Sequence, residues 1–360
     1  MFLSSKTPLV ALDVGSHSIK LAQLNPLSSK NKYELTSFGI MPLPEDTIVD
    51  GVIKNHDEVV DAVTRLVKAE KVNTRYAVAS VSGEAVIIKK IKVPQMSAEE
   101  LQDSIAEEAE QYIPFDIDDV AIDFQILGPS RNGGDEESED GDMMDILLVA
   151  VQREMIYNRT DVLIDAGLKP VIVDLDVFAM VNAVSLSHDL TEMGAVALID
   201  LGESFTHVNI VLDGVTAYTR DIPVGGGYCS RRLMSTFDVT YSQVTELKAG
   251  KMPAGIDSDK VVEVITGSFD KVLDEIQKCF EFFSTTSSME VEKVILTGGG
   301  AMIHGVDGFF SEHLKVPVEI IDPLKGIKVN SRNFDKATIA ELAPLSTVAL
   351  GLATRRFDYQ

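Results

Sequence analysis

The chain has 360 residues, 45% of them hydrophobic, and a formal net charge of −24. That length exceeds one compact core and predicts two domains, with enough apolar residues to bury both, which excludes a disordered chain. The acidity disfavours a nucleic-acid partner, whose phosphates would be repelled over most of the surface, and equally direct adsorption on an anionic leaflet.

Cys229 and Cys279 stand far apart without a C-x-x-C pattern. This predicts neither a disulfide framework nor a zinc site and fits a reducing cytosol. The opening residues MFLSSKTPLVALDVGS lack a basic segment followed by a long apolar core, so no signal peptide is expected. No stretch approaches the roughly 18 apolar residues that cross a bilayer. The expectation is a soluble protein whose membrane role, if any, runs through a partner.

Short β-rich runs alternate with helical patterns, the mark of α/β architecture. A strand is predicted at 9–13, then a Gly-Ser turn and a second strand at 18–24, a hairpin rather than a strand-to-helix turn. A helix at 57–70 places Val59, Val60, Val63, Leu66 and Val67 on one face, and a strand follows at 76–81. Between 84 and 167 the pattern becomes strand (85–93), helix from Ser97, two strands (120–127 and 145–151) and helix (154–166). Ser97 and Glu100 form a capping-box pair, with Leu101, Ile105, Ala109 and Tyr112 along one side. This β-α-β-β-α run is predicted to be an inserted subdomain. Its acidic loop RNGGDEESEDGD (131–142) is flanked by strands and reads as a solvated hairpin tip rather than a calcium loop, which needs flanking helices and a bidentate Glu.

A second large unit begins near Gly194. Strands are predicted at 196–200 and 207–212. Gly225-Gly226-Gly227 opens a helix carrying Leu233 and Met234, and a long helix runs from 259 to about 286. A strand at 293–296 leads into the loop 297–301. Residues 344–355 read as a helix with a small-residue face of Ala349, Gly351 and Ala353.

Two segments resemble each other: ALDVGSHS (11–18) and LIDLGESF (198–205) share the order strand, Asp, apolar residue, Gly. A strand that ends in Asp-x-Gly and turns straight into another presents a run of backbone N–H groups suited to phosphate oxygens, while the Asp can orient water on Mg²⁺. Two such hairpins facing each other would grip a phosphate chain from both sides, with Lys20 and the hydroxyls of Ser16 and Ser18 adding charge and donors. Taken singly, either is also ordinary turn chemistry, since Gly and Asp dominate turns. A third element, LTGGGA (296–301), follows an apolar strand. It is either a flexible turn or a backbone able to approach a flat ligand such as an adenosine.

These three elements, in this order, resemble the actin/Hsp70/sugar-kinase ATPase superfamily. The fold implied is the actin-like ATPase fold, two lobes each on a ribonuclease-H-like core, with ATP and Mg²⁺ between them. The resemblance places Asp13 and Asp200 near the metal, and Gly15, Ser16, His17, Ser18 and Lys20, with Gly202, Glu203 and Ser204, near the phosphates. Gly226, Gly227, Gly298, Gly299 and Gly300 would line the nucleoside. Glu246 and Lys248 lie in a helical stretch that often contacts ribose and adenine in that superfamily, although such residues are commonly just solvated. The insert is similar to the extra subdomain of the division protein FtsA. EEAEQYIPF (107–115) followed by IDFQIL (122–127), together with DLDVFAMVNA (174–183), resembles the PilM family of type IV pilus assembly.

On that resemblance the first lobe spans 1–193 (core 1–83 and 168–193, insert 84–167). The second spans 194–343, with a helical part at about 228–290, and 344–360 packs back as a helix. The implied function is a cytoplasmic ATP-binding scaffold, peripheral at the inner-membrane face. It would hold the N-terminal tail of the membrane protein PilN in a groove between the first core and the insert, and contact other pilus inner-membrane and motor ATPase components. No catalytic residue is assigned. Actins place a Gln in the first connecting segment, where this chain offers Asp176 or Asn182, so slow or negligible hydrolysis is expected. The alternatives are a filament former like FtsA or MreB, or a small-molecule kinase. FtsA ends in a membrane helix after a linker, whereas RRFDYQ follows the last core helix here, so direct tethering is not expected.

Overall fold

Alternation along the first strand decides how the first sheet is layered. In β1 (Val10–Val14), Val10, Leu12 and Val14 pack into one core while Ala11, with Leu9 just before it, packs into another. That is the period-two consequence of the pleat, and burial on both faces explains why the strand is apolar almost throughout. The computed structural model of the chain describes residues 8–29, 32–130, 143–330 and 334–357. The acidic loop at 131–142 lies outside the described residues. The chain divides into two compact units, Met1–Ser80 with Arg159–Gln360, and Val81–Asn158.

In the larger unit β1 runs through β2 (Ser18–Pro26) and β3 (Tyr33–Pro42), and the small pair β4 (Ile48–Val49) and β5 (Val52–Ile53) leads into α1 (His56–Ala69). Asn55 caps α1 by accepting the Glu58 N–H, and Val59, Ala62, Val63 and Leu66 form its buried face. β6 (Tyr76–Val81) then pairs in parallel with β1.

The smaller unit contains β7 (Val86–Pro94), α2 (Ala98–Glu110), a 3₁₀ turn at Ile117–Asp119, β8 (Val120–Pro129) and β9 (Met143–Gln152). Its antiparallel sheet has the order β7-β9-β8. The Ser97–Glu100 capping box is formed in both directions and starts α2, whose Leu101, Ile105 and Ala109 bury against Ile91, Ile146 and Leu148. α3 (Arg153–Asp165) follows directly.

The larger unit resumes with β10 (Lys169–Leu175) and α4 (Asp176–Val184). A second meander follows: β11 (Ala195–Leu201), β12 (Thr206–Leu212) and β13 (Val215–Ile222). Three helices come next, α5 (Gly226–Phe237), α6 (Tyr241–Lys248) and the 30-residue α7 (Ser258–Ser287). β14 (Lys293–Thr297), a 3₁₀ turn at Gly299–Met302, α8 (Val306–Leu314), β15 (Val318–Ile320) and β16 (Ile327–Val329) follow. The described chain closes with α9 (Lys336–Leu342), a 3₁₀ turn at Ala343–Ser346 and α10 (Thr347–Leu352).

Among the described residues these strands make two large sheets, β10-β6-β1-β2-β3-β16 and β13-β12-β11-β14-β15. Each is an antiparallel meander whose first strand is flanked on its other side by a parallel strand, β6 beside β1 and β14 beside β11. The likeness of the two Asp-x-Gly segments is therefore a likeness of position: each closes the first hairpin of its lobe.

The predicted helix at 344–355 is broken. The Pro344 carbonyl accepts the Gly298 N–H at 3.1 Å and the Thr297 hydroxyl at 2.9 Å, and the chain makes a 3₁₀ turn before α10 begins. The small-residue face is where predicted. A Cβ at Gly351 would fall on the Ala179 carbonyl of α4, so only glycine lets these helices approach this closely.

Candidate functional site

The first turn is built by β1 and β2. Antiparallel register sets Asp13 opposite Lys20, and the two form an ion pair at 3.2 Å. The turn closes with the Gly15 N–H donating to the Ser18 carbonyl at 3.2 Å. Ser18 is buried, Ser16 half-buried, and His17 exposed at the tip. There the His17 ring stacks on Tyr241, the first residue of α6, with centroids 5.6 Å apart.

The second turn repeats this arrangement. Asp200 on β11 sits opposite His207 on β12 and beside Thr297 on β14. Gly202, Glu203 and Ser204 form the turn, all half-buried. Backbone amides of α5 then close on it, Gly226 N–H to the Gly202 carbonyl at 2.7 Å and Gly227 N–H to the Glu203 carbonyl at 2.9 Å. A Cβ at Gly225 would come within 2.5 Å of the Gly202 carbonyl oxygen, so the approach of helix to turn requires glycine there. Gly298 adopts φ +85°, and a Cβ there would fall on the Asp200 carboxylate and the Leu201 backbone, so there is no room for a side chain. Gly300 packs on Leu201 and lies near Gly226, while Gly299 is exposed.

In both turns two consecutive amides, Ser16 and His17 in one, Glu203 and Ser204 in the other, make no backbone hydrogen bond among the described residues. They are free to donate to an anion, as in an N–H nest.

The charged groups between these turns come from both lobes. Asp176, first residue of α4, accepts a short hydrogen bond from Ser80 at the end of β6. Burial pushes Asp200 up to about 6, against the pull of His207 and Lys20. Burial would lower His207, but the Asp221 carboxylate, at 2.6 Å, together with Asp176 and Asp200 holds it up at about 9. Asp13 is also raised, by burial above all, and Lys20 opposes that. Arg159 of α3 is 8% exposed, donates through Nη2 to the Gly51 carbonyl at 3.2 Å, and faces the charges of Asp176 and Asp13.

The structure thus brings together Asp13, Gly15, Ser16, Ser18 and Lys20 on one side, and Asp200, Gly202, Glu203, Ser204, Gly226, Gly227, Gly298 and Gly300 on the other. Lys248 is turned inward onto the Gly226 carbonyl at 3.0 Å and Ser230 Oγ at 2.6 Å, tying α6 to the first turn of α5. Glu246 is exposed on α6. Asp174, in the first connecting segment, is held by Arg355 at 2.6 and 2.9 Å. Sequence reasoning missed His207, Asp221, Arg159, Ser80 and Tyr241. His207 had a signal: a four-residue turn after Leu201 sets it opposite Asp200.

The donor set fits a polyphosphate with a divalent cation. Free turn amides and the Lys20 ammonium suit phosphate oxygens. Among the described residues no group of three or more His, Cys, Asp or Glu is arranged to ligate a metal alone. Mg²⁺ in nucleotide sites is held by one or two carboxylates with phosphate oxygens and water, and Asp13 and Asp200 are the carboxylates at the ends of β1 and β11.

The family model described as type IV pilus assembly protein PilM matches residues 11–357. Among solved structures the chain is similar to the PilM-PilN type IV pilus biogenesis complex, at 23% identity over 96% of this chain and 97% of that chain, with a TM-score of 0.80. It is also similar to the ethanolamine utilization protein EutJ from Carboxydothermus hydrogenoformans, at 14% identity over 96% and 88% of the chains, TM-score 0.58. A third likeness is to MreB 5 of Spiroplasma citri bound to AMPPNP, 14% identical over 96% and 94% of the chains, TM-score 0.52. These likenesses bear on the fold: two α/β lobes of the actin-like ATPase type. No helix among the described residues is long and apolar enough to cross a membrane.

Proposed function

The chain belongs to the PilM family of type IV pilus assembly proteins, and from that membership we propose that it is a cytoplasmic ATP-binding scaffold, holding the N-terminal tail of a PilN partner at the inner-membrane face. The observation that carries the nucleotide part is the pair of matched turns, each with a carboxylate at the strand end and two unpaired amides. In this reading Asp13 and Asp200 hold Mg²⁺ with phosphate oxygens and water. The free amides of Ser16 and His17 and of Glu203 and Ser204, with Lys20, hold the phosphates. Gly226, Gly227 and the loop Gly298, Gly299 and Gly300 line the nucleoside, with Lys248 and Glu246 at its rim. The smaller unit serves as an FtsA-type insertion. The similarity to a PilM-PilN complex supports PilN as the partner, and other pilus components would dock on the assembled pair. The first connecting segment offers Asp176 or Asn182 and no Gln, so slow or negligible hydrolysis is expected, with ATP acting mainly to lock the lobes.

The test is calorimetric binding of a synthetic peptide of the cognate PilN N-terminal tail, with and without Mg-ATP. A Kd tighter than about 100 µM, or roughly −5.5 kcal/mol, lost on scrambling, is the expected result. No binding in either state would overturn the scaffold reading. Asp13→Ala and Asp200→Ala should each weaken Mg-ATP binding at least tenfold, and unchanged affinity in both would mean the nucleotide lies elsewhere.

A further inference from the structure

Lys20, His207 and Arg159 bring positive charge to the carboxylates of Asp13, Asp176 and Asp200 from different elements, Arg159 acting on Asp176 and Asp13. Two of the three have a carboxylate at ion-pair distance. Lys20 is paired with Asp13 at 3.2 Å and His207 with Asp221 at 2.6 Å. Arg159 is different. Its Nη2 is fixed on the Gly51 carbonyl at 3.2 Å, while its Nη1 is buried without a hydrogen-bond partner among the described residues. A guanidinium presents a rigid fork of donors, so one anchored arm orients the other. Buried donors are ordinarily satisfied, and one left open beside a cluster of charges marks where an acceptor belongs.

The location narrows the acceptor. The glycine elements that approach one another, Gly226 and Gly300, come from the second lobe alone. The charged cluster draws on both lobes, with Asp13 and Lys20 from the first and Asp200 and His207 from the second. A ligand whose flat end lies on the glycine loop therefore reaches the cluster with the far end of its phosphate chain. We propose that Arg159 is a ligand for the terminal phosphate of a bound nucleoside triphosphate, donating from Nη1 while Gly51 holds Nη2, so that the site distinguishes triphosphate from diphosphate. This rests on the nucleotide reading given above. It assigns a binding role to a residue of α3, outside all three glycine-bearing segments.

The competing account is that Arg159 only neutralises Asp13 and Asp176. A neutralising cation would matter equally for any nucleotide, or for none. Isothermal titration with AMPPNP and with ADP, each with Mg²⁺, separates the two for the wild type, Arg159→Gln and Arg159→Lys. The lysine variant keeps the positive charge and so guards against simple misfolding, but its single ammonium cannot replace a fork anchored on Gly51. Melting temperatures without nucleotide report whether each variant is folded. The expected result is a loss of tenfold or more in AMPPNP affinity in both variants, with ADP affinity within about twofold of wild type. Equal losses for AMPPNP and ADP, or AMPPNP affinity kept by either folded variant, would overturn the proposal. A wild type that binds neither nucleotide would overturn the underlying nucleotide reading as well, an outcome distinct from wild-type binding with unchanged discrimination.

Discussion

His207 and Asp200 lie opposite each other on β11 and β12, and their titrations push stability in the same direction. His207 is held at about 9 in the folded chain against an ordinary value of 6.5. The folded state then binds more protons than the unfolded one between those values, so the contribution is complete below pH 6.5 and is lost as pH rises through 9. Asp200, pushed up to about 6 from 3.8 by burial, also favours the folded state when protonated, and that contribution fades between pH 4 and 6. Melting temperatures without nucleotide should therefore fall from pH 6.5 to 9 in the wild type, and the fall should flatten in His207→Gln. An equal alkaline decline in the variant would mean that another group titrates there. At this scale the sequence was legible where chemistry is local. Asp13, Gly15, Asp200 and Gly202 could be read because Asp and Gly at a strand-to-strand turn carry their own backbone signal. Arg159 and Tyr241 could not, since they reach the site from helices whose packing no local pattern encodes.

Helix α10 depends on one residue to pack against α4. Any Cβ at Gly351 would collide with the Ala179 carbonyl, and a backbone target inside a helix cannot rotate away as a side-chain tip can. Gly351→Ala should force the helices apart and destabilise the fold by about 1–3 kcal/mol, the usual cost of overpacking a core. Urea denaturation would measure it, and a midpoint within error of wild type would show that α10 can shift freely. Some long elements were readable in advance, while β3, β10, β13 and α8 were not predicted. The apolar face of α1, the capping box of α2 and the length of α7 each appear in the residues themselves, and the two hairpins were read as the first two strands of each meander without its third. The three-residue strands β15 and β16 were not readable, because three residues carry no period. Nor was the break before α10, where the Pro344 carbonyl is taken by Thr297 and Gly298 from a distant loop. That loop is among the three glycine-bearing segments, so the irregularity is made by the candidate site itself.

For the molecule as a whole, the two halves of the larger unit are linked at several separate places. β16 returns from the far end of the chain to pair with β3. Asn209 of β12 donates to the Val177 carbonyl of α4 at 3.0 Å, and His17 stacks on Tyr241 at the rim. A ligand gripped by both Asp-x-Gly turns would act as a further link, and it would stabilise the folded state by RT ln(1 + [L]/Kd), about 2.7 kcal/mol at one hundred times Kd. Because the groups that would hold it belong to both lobes, that stabilisation should appear in both at once. Hydrogen exchange with saturating Mg-AMPPNP should slow the amides of Ser16 and His17 and those of Glu203 and Ser204 together. The loop from Gly298 to Gly300 should be protected with them. The free protein leaves both amide pairs without backbone partners, so they start from fast exchange and the change is easily read. Protection confined to the second turn and the glycine loop would show that the nucleotide rests on one lobe, and the matched first turn would then be a structural repeat without a shared ligand.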